Sequence, residues 1–246
     1  MYLNPRYQKT DDIENDEAYY RNYLKASLPH QLLFEEKFNT FLSHITPGKL
    51  LDIGCGTGEF LMVGKLRGWR TVGIDISAWV CNYLLEQGYK NIFNCSLEEA
   101  GFPDETFHLV HISHVLEHIS KPSQFLEEVC RILKPGGFVL IEVPNERLFP
   151  WNYTLLNMLK AGHFSSSGIS EKHVNLFTKK TLGTLLKRSL LTPLFVQEEG
   201  FASKGRITTP AFEEKTFAMR LALLLCRWRL DVLSGMGRYL VALARK

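Results

Sequence analysis

The sequence lacks the marks of several classes of protein. Its five cysteines, Cys55, Cys81, Cys95, Cys130 and Cys226, are odd in number, widely spaced and never in a CxxC pair. They suggest neither a disulfide framework nor a zinc site, and they fit a reducing cytoplasm. No apolar run approaches the ~18 residues of a membrane span. The opening MYLNPRYQKTDDIENDE is polar and acidic where a secretory signal is basic and then apolar. Internal repeats and low-complexity tracts are also missing. Neither charge dominates, since 29 basic and 26 acidic residues leave a formal net charge of +3, which gives no argument for a nucleic-acid partner. The expectation is a cytoplasmic protein, neither secreted nor integral to a membrane.

What is present supports a large buried core. With 246 residues and 45% hydrophobic content, one domain spanning 1–246 is expected. Charge is uneven along it: residues 1–36 hold seven acids against four bases, and residues 201–246 nine bases against three acids. Such polarity can attract an anionic partner or surface, although a solvated face explains it equally simply.

Hydrophobic spacing divides the chain into alternating elements. Residues 30–44 read as a helix ended by Pro47-Gly48. Residues 49–53 form a short apolar run that opens into GCGTG, then a helix-like EFLMVGKLRG, then a strand at 71–74 ending at Asp75. Strand, glycine turn, helix and strand make a βαβ unit. A helix at 77–87, strands at 91–94 and 107–112, a helix at 122–133 and a strand at 137–143 continue the pattern. That alternation predicts a parallel sheet covered on both faces, a three-layer α/β sandwich. It lapses through about thirty residues after Pro144, and a loop that long in a compact domain is usually functional. A helix at 178–189, capped by Thr178, and a strand at 194–198 follow. Residues 211–232 are apolar and basic at helical spacing. The closing YLVALAR reads as a strand buried on both faces, with a helical continuation as the alternative.

Asp52-Ile-Gly54-Cys-Gly56-Thr-Gly58 stands where a strand ends and a helix begins, at the sheet edge where doubly wound folds bind ligands. Glycines allow sharp turns and close approach there, and helix N-terminal amides favour an anionic group. Asp75, seventeen residues after Gly58, can accept two hydrogen bonds from a ribose diol. A dinucleotide fingerprint wants glycine or alanine at the sixth position, where this chain has Glu59. Asp52 adds a second carboxylate suited to an amino group and unsuited to pyrophosphate. An NAD-dependent oxidoreductase is therefore disfavoured.

LLDIGCGTGEFL, GIDIS and FPDETFHLVHISHVLEHISKPSQFLEEVCRILKPGGFVLIEVPN together resemble the class I S-adenosylmethionine-dependent methyltransferases. The likeness is to the small-molecule, type 11/23-like branch related to quinone-biosynthesis O-methyltransferases. It is strong over residues 50–145 and looser to the end of the chain. The resemblance implies a Rossmann-like, mostly parallel seven-stranded sheet of order 3-2-1-4-5-7-6 with an antiparallel last strand, and S-adenosyl-L-methionine as cofactor. Carried over, Asp52 and Gly54 hold the methionine amino and carboxylate groups, Gly56 and Gly58 shape the turn, Asp75 takes the ribose and Ile76 lies beside the adenine. Ser96 and Leu97 stand where relatives often have Asp-Ala at the adenine, so recognition there falls to the Leu97 backbone. Ser113 and His114 face the methionine end. In some quinone-type relatives acidic and histidine residues at the positions of His114, Glu117 and His118 form a metal site. Here His114 replaces a carboxylate, Glu117-His118 reads as a pair that fixes the loop, and no metal is expected.

The expected reaction is methyl transfer to a small-molecule hydroxyl of a sugar, polyketide, quinone, phenol or lipid-like acceptor. His173, and after it His163, are the candidate general bases in the acceptor-side segment 145–175. Phe149, Trp151, Tyr153 and Phe164 either line an acceptor pocket or pack that segment. Residues 1–45 form an arm and helix, 48–143 the cofactor core and 176–246 the completion of the sheet. Residues 217–230 either cover the core or make weak peripheral contact with a membrane. The chain is read as a monomer or homodimer. A non-catalytic protein that binds the cofactor or its product is the main rival reading.

Overall fold

The structure, a computed structural model, describes residues 2–3, 20–21, 24, 27–145, 173–199, 202–203, 206–207 and 239–246. Strands that are apolar on both faces need helices on both sides, as the central strands of a seven-stranded sheet do here. The seven strands are Lys49–Ile53 (β1), Arg70–Asp75 (β2), Ile92–Asn94 (β3), Phe107–Ser113 (β4), Leu133–Pro144 (β5), Thr192–Glu199 (β6) and Tyr239–Arg245 (β7). Their order in the sheet is β3-β2-β1-β4-β5-β7-β6. The pairs from β3 through β5 are parallel, whereas β7 runs antiparallel to both β5 and β6. The order and the single reversed strand are those expected.

Side chains that alternate along each strand reach two separate apolar layers. Leu51, Ile53, Val110, Ile112, Val139 and Ile141 pack with helix Pro122–Ile132 (α4) and helix Lys179–Arg188 (α5). Leu50, Leu109, Leu140 and Val241 pack on the other side with helices Glu59–Leu66 (α2) and Ala78–Glu86 (α3). Helix Ser27–Lys37 (α1) and the π-helical turn Phe38–Leu42 that continues it cover this second layer. Burying each Leu, Ile or Val contributes about 1.5–3 kcal/mol, which fixes strand register because a one-residue slip exchanges the layers. The helix starts follow from capping. Ser77 Oγ accepts from the Val80 amide, and Thr178 with Thr181 forms a reciprocal box at α5, each cap contributing about 1 kcal/mol.

The start of β5 differs from expectation by four residues. β5 begins at Leu133, so Lys-Pro-Gly-Gly lies inside the strand and does not precede it. Gly136 takes φ +76°, and a Cβ on Gly137 would sit 2.9 Å from the Lys134 carbonyl oxygen. Glycine at both positions is what lets the strand start one turn early, at the cost of a register shift between Phe107 and Leu109. Two short ladders lie outside the main sheet, Tyr2–Leu3 with Asn175–Leu176 and Ala202–Ser203 with Arg206–Ile207. Among the described residues no helix is long and apolar enough to cross a membrane. The segments 146–172, with His163 and the four aromatics named above, and 217–230 lie outside the described residues.

Candidate cofactor and acceptor site

Parallel strands carry their loops to one edge, and the glycine turn between β1 and α2 stands at that edge beside the end of β2. Gly54, Gly56 and Gly58 all have positive φ, +72°, +49° and +85°. A side chain at Gly54 would put Cβ 2.4 Å from Val115 Cγ2, so this position cannot accept one without displacing its neighbour. The amides of Gly54 and Cys55 both reach the Ile74 carbonyl, at 2.9 and 3.1 Å, which fastens the turn to the end of β2. Glu59 folds beneath the turn and accepts from Thr57 Oγ1 at 2.7 Å. Burial raises the pKa of its carboxyl group.

Asp75 ends β2 as a buried carboxylate. Its Oδ2 accepts from the Gly56 amide at 3.0 Å and its Oδ1 from the Ser77 amide at 2.9 Å. The two backbone donors fix the plane of the carboxylate. Ile76, next in sequence, is 82% exposed, an apolar face open beside that carboxylate. Ser96 and Glu99 cap one another: the Ser96 amide donates to Glu99 Oε2 at 2.9 Å, and the Glu99 amide donates to Ser96 Oγ at 3.3 Å. The Ser96 hydroxyl is thus engaged within its own turn, and the Leu97 side chain is buried in the core. On the other side of the turn, Tyr20 stacks on Trp79 with ring centroids 6.0 Å apart, and Tyr20 Cε1 would lie 3.9 Å from a Cβ at Gly56.

At the end of β4, Ser113 closes the strand and His114 takes φ +55°, a left-handed turn residue. His114 Nδ1 lies 3.2 Å from Glu117 Oε1. Glu117 is 1% exposed, and its Oε2 has no hydrogen-bond partner among the described residues. The chain returns from the undescribed segment directly onto this turn. The Val174 amide donates to the Glu117 carbonyl at 2.8 Å, and Asn175 Nδ2 donates to the Ile119 carbonyl at 2.5 Å. These two bonds bring the His173 ring within 5.0 Å of the His118 ring, edge to face. Ligand atoms of Glu117, His118 and His173 all lie within 4.8 Å of one another.

Sequence reasoning did not single out a buried polar row beneath the turn. Asp52, His111 and Glu142 share the α1-α2 face of the sheet. His111 Nδ1 lies 2.6 Å from Asp52 Oδ1, and its Nε2 lies 3.3 Å from Glu142 Oε1. The Lys37 ammonium, from the end of α1, contacts Glu142 Oε2. Burial lowers the His111 pKa against the raising effect of Asp52, and burial lowers that of Lys37 to about 8. The signal available was His111 between Val110 and Ile112: a polar residue in a strand buried on both faces must find a partner.

This sheet order, with a glycine turn and a buried carboxylate at the ends of adjacent strands, is that of S-adenosylmethionine-dependent methyltransferase folds. The family described as a methyltransferase domain (Methyltransf_23) matches residues 19–192, and the chain belongs to that family, within the class I S-adenosylmethionine-dependent methyltransferases. It is 30% identical to the uncharacterized protein MJ1123 of Methanocaldococcus jannaschii over 52% of this chain and 60% of that protein. It is 33% identical to a ubiquinone biosynthesis O-methyltransferase of a Bradyrhizobium species over 39% of this chain and 40% of the other. It is 31% identical to the ubiquinone/menaquinone biosynthesis C-methyltransferase UbiE of Neisseria meningitidis over 54% of each. The chain thus spans about half the length of the curated relatives it matches. Among solved structures it superposes on an S-adenosylmethionine-dependent methyltransferase of Archaeoglobus fulgidus with TM-score 0.58 at 22% identity, covering 88% and 94% of the two chains. It superposes on the [4+2]-cyclase SpnF with TM-score 0.59 at 19% identity, covering 88% and 81%. At such identities the likeness is one of fold.

Proposed function

We propose that this protein transfers a methyl group from S-adenosyl-L-methionine to a hydroxyl oxygen of a small molecule, such as a sugar, polyketide, quinone, phenol or lipid-like acceptor. The observation that carries the acceptor side of this reading is the His118–His173 pair over buried Glu117, next to Ser113 and His114. The cofactor assignment follows the turn: Asp52 and Gly54 toward the methionine group, Gly56 and Gly58 as the turn, Asp75 on the ribose, Ile76 and the Ser96-Leu97 backbone at the adenine.

Methyl transfer is an in-line displacement. S-adenosyl-L-methionine, when bound, would supply a methyl group activated on a sulfonium, given up to the acceptor oxygen with the carbon–sulfur electron pair staying on sulfur. The hydroxyl proton leaves to His173, whose imidazole suits proton transfer near neutral pH. The protein's remaining task is alignment and exclusion of water. His163 stays the second candidate base.

A second reading has its own observation. The buried Glu117 Oε2, without a hydrogen-bond partner among the described residues, and the two nearby imidazoles are a donor set that fits a divalent cation, and a cation held there would supply Lewis acidity toward the acceptor oxygen. An acceptor screen that reads product mass with isotopically labelled methyl cofactor tests the proposal, run with and without chelator. Turnover on a hydroxyl that survives chelation supports the base; turnover restored only by added metal replaces it with the cation. Cofactor binding with no product from any acceptor class supports instead a non-catalytic binding protein, the outcome that a shared fold leaves open.

A further inference from the structure

Beneath the turn lies a buried chain of charge that the reaction itself does not require. On the α1-α2 face, Asp52 (β1), His111 (β4) and Glu142 (β5) stand side by side on three adjacent strands, because Asp52 is paired in register with His111 and β5 follows β4 in the sheet. Lys37 closes the row from α1. All four side chains are nearly sealed from water, at 3, 1, 4 and 3% exposure. The His111 ring is clamped flat on Phe60, centroids 3.6 Å apart at 16°, and Phe34 meets it edge-on at 5.8 Å. The imidazole can neither rotate away nor exchange its partners for solvent.

We propose that His111 is a positioning residue for the cofactor: it donates Nδ1–H to Asp52 and thereby fixes the carboxylate that receives the methionine ammonium, with Phe60 and Phe34 holding the ring in place. The proposal rests on the reading of Asp52 as the ammonium-binding residue.

Charge counting gives the row its logic. Asp52 and Glu142 bring two negative charges and Lys37 one positive. With a neutral imidazole between them negative charge is in excess in a dry site, and Glu59 beside Asp52 and Glu199 and Glu36 beside Lys37 add to that excess. An ammonium placed against Asp52 supplies positive charge on that side of the row, so the Asp52 carboxylate is best compensated with the amino group of the cofactor in place. A carboxylate in such a site that lost its N–H donor would desolvate at full cost and turn from its binding geometry. His111 touches no reacting atom in this scheme and acts only through Asp52.

Two ligands and two isosteric substitutions separate this role from a structural one. S-adenosylhomocysteine carries the amino-acid group, whereas 5′-methylthioadenosine shares the nucleoside and thioether but lacks it. Asparagine places its amide nitrogen near the position of Nδ1, and glutamine near that of Nε2. Calorimetry should show His111→Gln weakening S-adenosylhomocysteine about tenfold with methylthioadenosine affinity within twofold of the parent. His111→Asn should keep both within threefold. In an Asp52→Asn background, His111→Gln should add no further loss. Equal weakening of both ligands, or equal effects of Asn and Gln, overturns the positioning role. Should His111→Gln fail to fold, a tenfold loss of S-adenosylhomocysteine affinity in His111→Asn overturns it as well. An Asp52→Asn variant that binds S-adenosylhomocysteine normally removes the Asp52 reading itself. If Asp52→Asn is weak and His111→Gln normal, the His111 role alone falls.

Discussion

The cofactor half and the acceptor edge of this molecule are built by different means. The cofactor half is made of near neighbours in sequence: three left-handed glycines within five residues, and an Asp75 carboxylate held by amides of Gly56 and Ser77. Its geometry is a property of the backbone. The acceptor edge brings together residues distant in sequence, His118 and His173, across an intervening segment, and holds them through two backbone-directed bonds onto the turn after β4. A family can keep the first arrangement and vary the second freely, because changing the acceptor edge leaves the strand-turn-helix unit untouched.

If that division is right, substitutions on the two sides should separate binding from turnover. Asp75→Ala removes the ribose acceptor, and two charge-assisted hydrogen bonds at about 1.5–3 kcal/mol each correspond to at least a hundredfold rise in the S-adenosylmethionine Kd. Calorimetry that finds unchanged affinity breaks the cofactor side of the comparison. His173→Ala should lower kcat about a hundredfold, in the range of general-base removal, with cofactor Kd unchanged. A variant at full rate with the true acceptor ends the assignment of His173 as base. Gly54→Ala forces a Cβ against Val115 at a positive φ, and overpacking with backbone strain should cost about 1–3 kcal/mol. That loss appears as a lower Tm together with weaker cofactor binding, whereas a substitution at His173 should leave Tm in place.

The smallest expected effect concerns pH. Burial lowers the pKa of His30, His108 and His111. Each binds its proton less readily folded than unfolded, so below the ordinary histidine value of 6.5 the unfolded chain takes up more protons and is favoured. Stability held at pH 7 should decline as pH falls through 6.5, and His111→Asn should shallow that slope. A Tm that is flat or rises between pH 7 and 5 contradicts it.

The sheet and the cofactor turn were readable because their determinants are local and periodic. Apolar strands of 49–53 or 107–112, the glycines that only a sharp turn needs, the Thr178 cap and a carboxylate at the next strand end all announce themselves over short windows. The start of β5 was not readable, because Lys-Pro-Gly-Gly signals a stop and only the fit of Gly137 against Lys134 reverses it. His111 was also missed. Its partners Asp52 and Glu142 lie 59 and 31 residues away in sequence; the implied sheet order sets strands 1, 4 and 5 side by side, but only the register that pairs Asp52 with His111 brings these side chains together. His173 was singled out for its place at the return to the core; its neighbour His118 was visible only in three dimensions.

The antiparallel β7 carries a consequence for assembly. It inserts between β5 and β6, so β6 has no lateral neighbour in the sheet until residues 239–245 arrive. A chain still being synthesised therefore leaves one edge of β5 unpaired and β6 unattached after most of the cofactor half is complete, and the ladder that closes this gap joins residues about a hundred apart along β5 and β7. Long-range pairing of this kind is slow and prone to aggregation while it waits, which places the step most sensitive to crowding and chaperones at the closing strand, far from the cofactor turn.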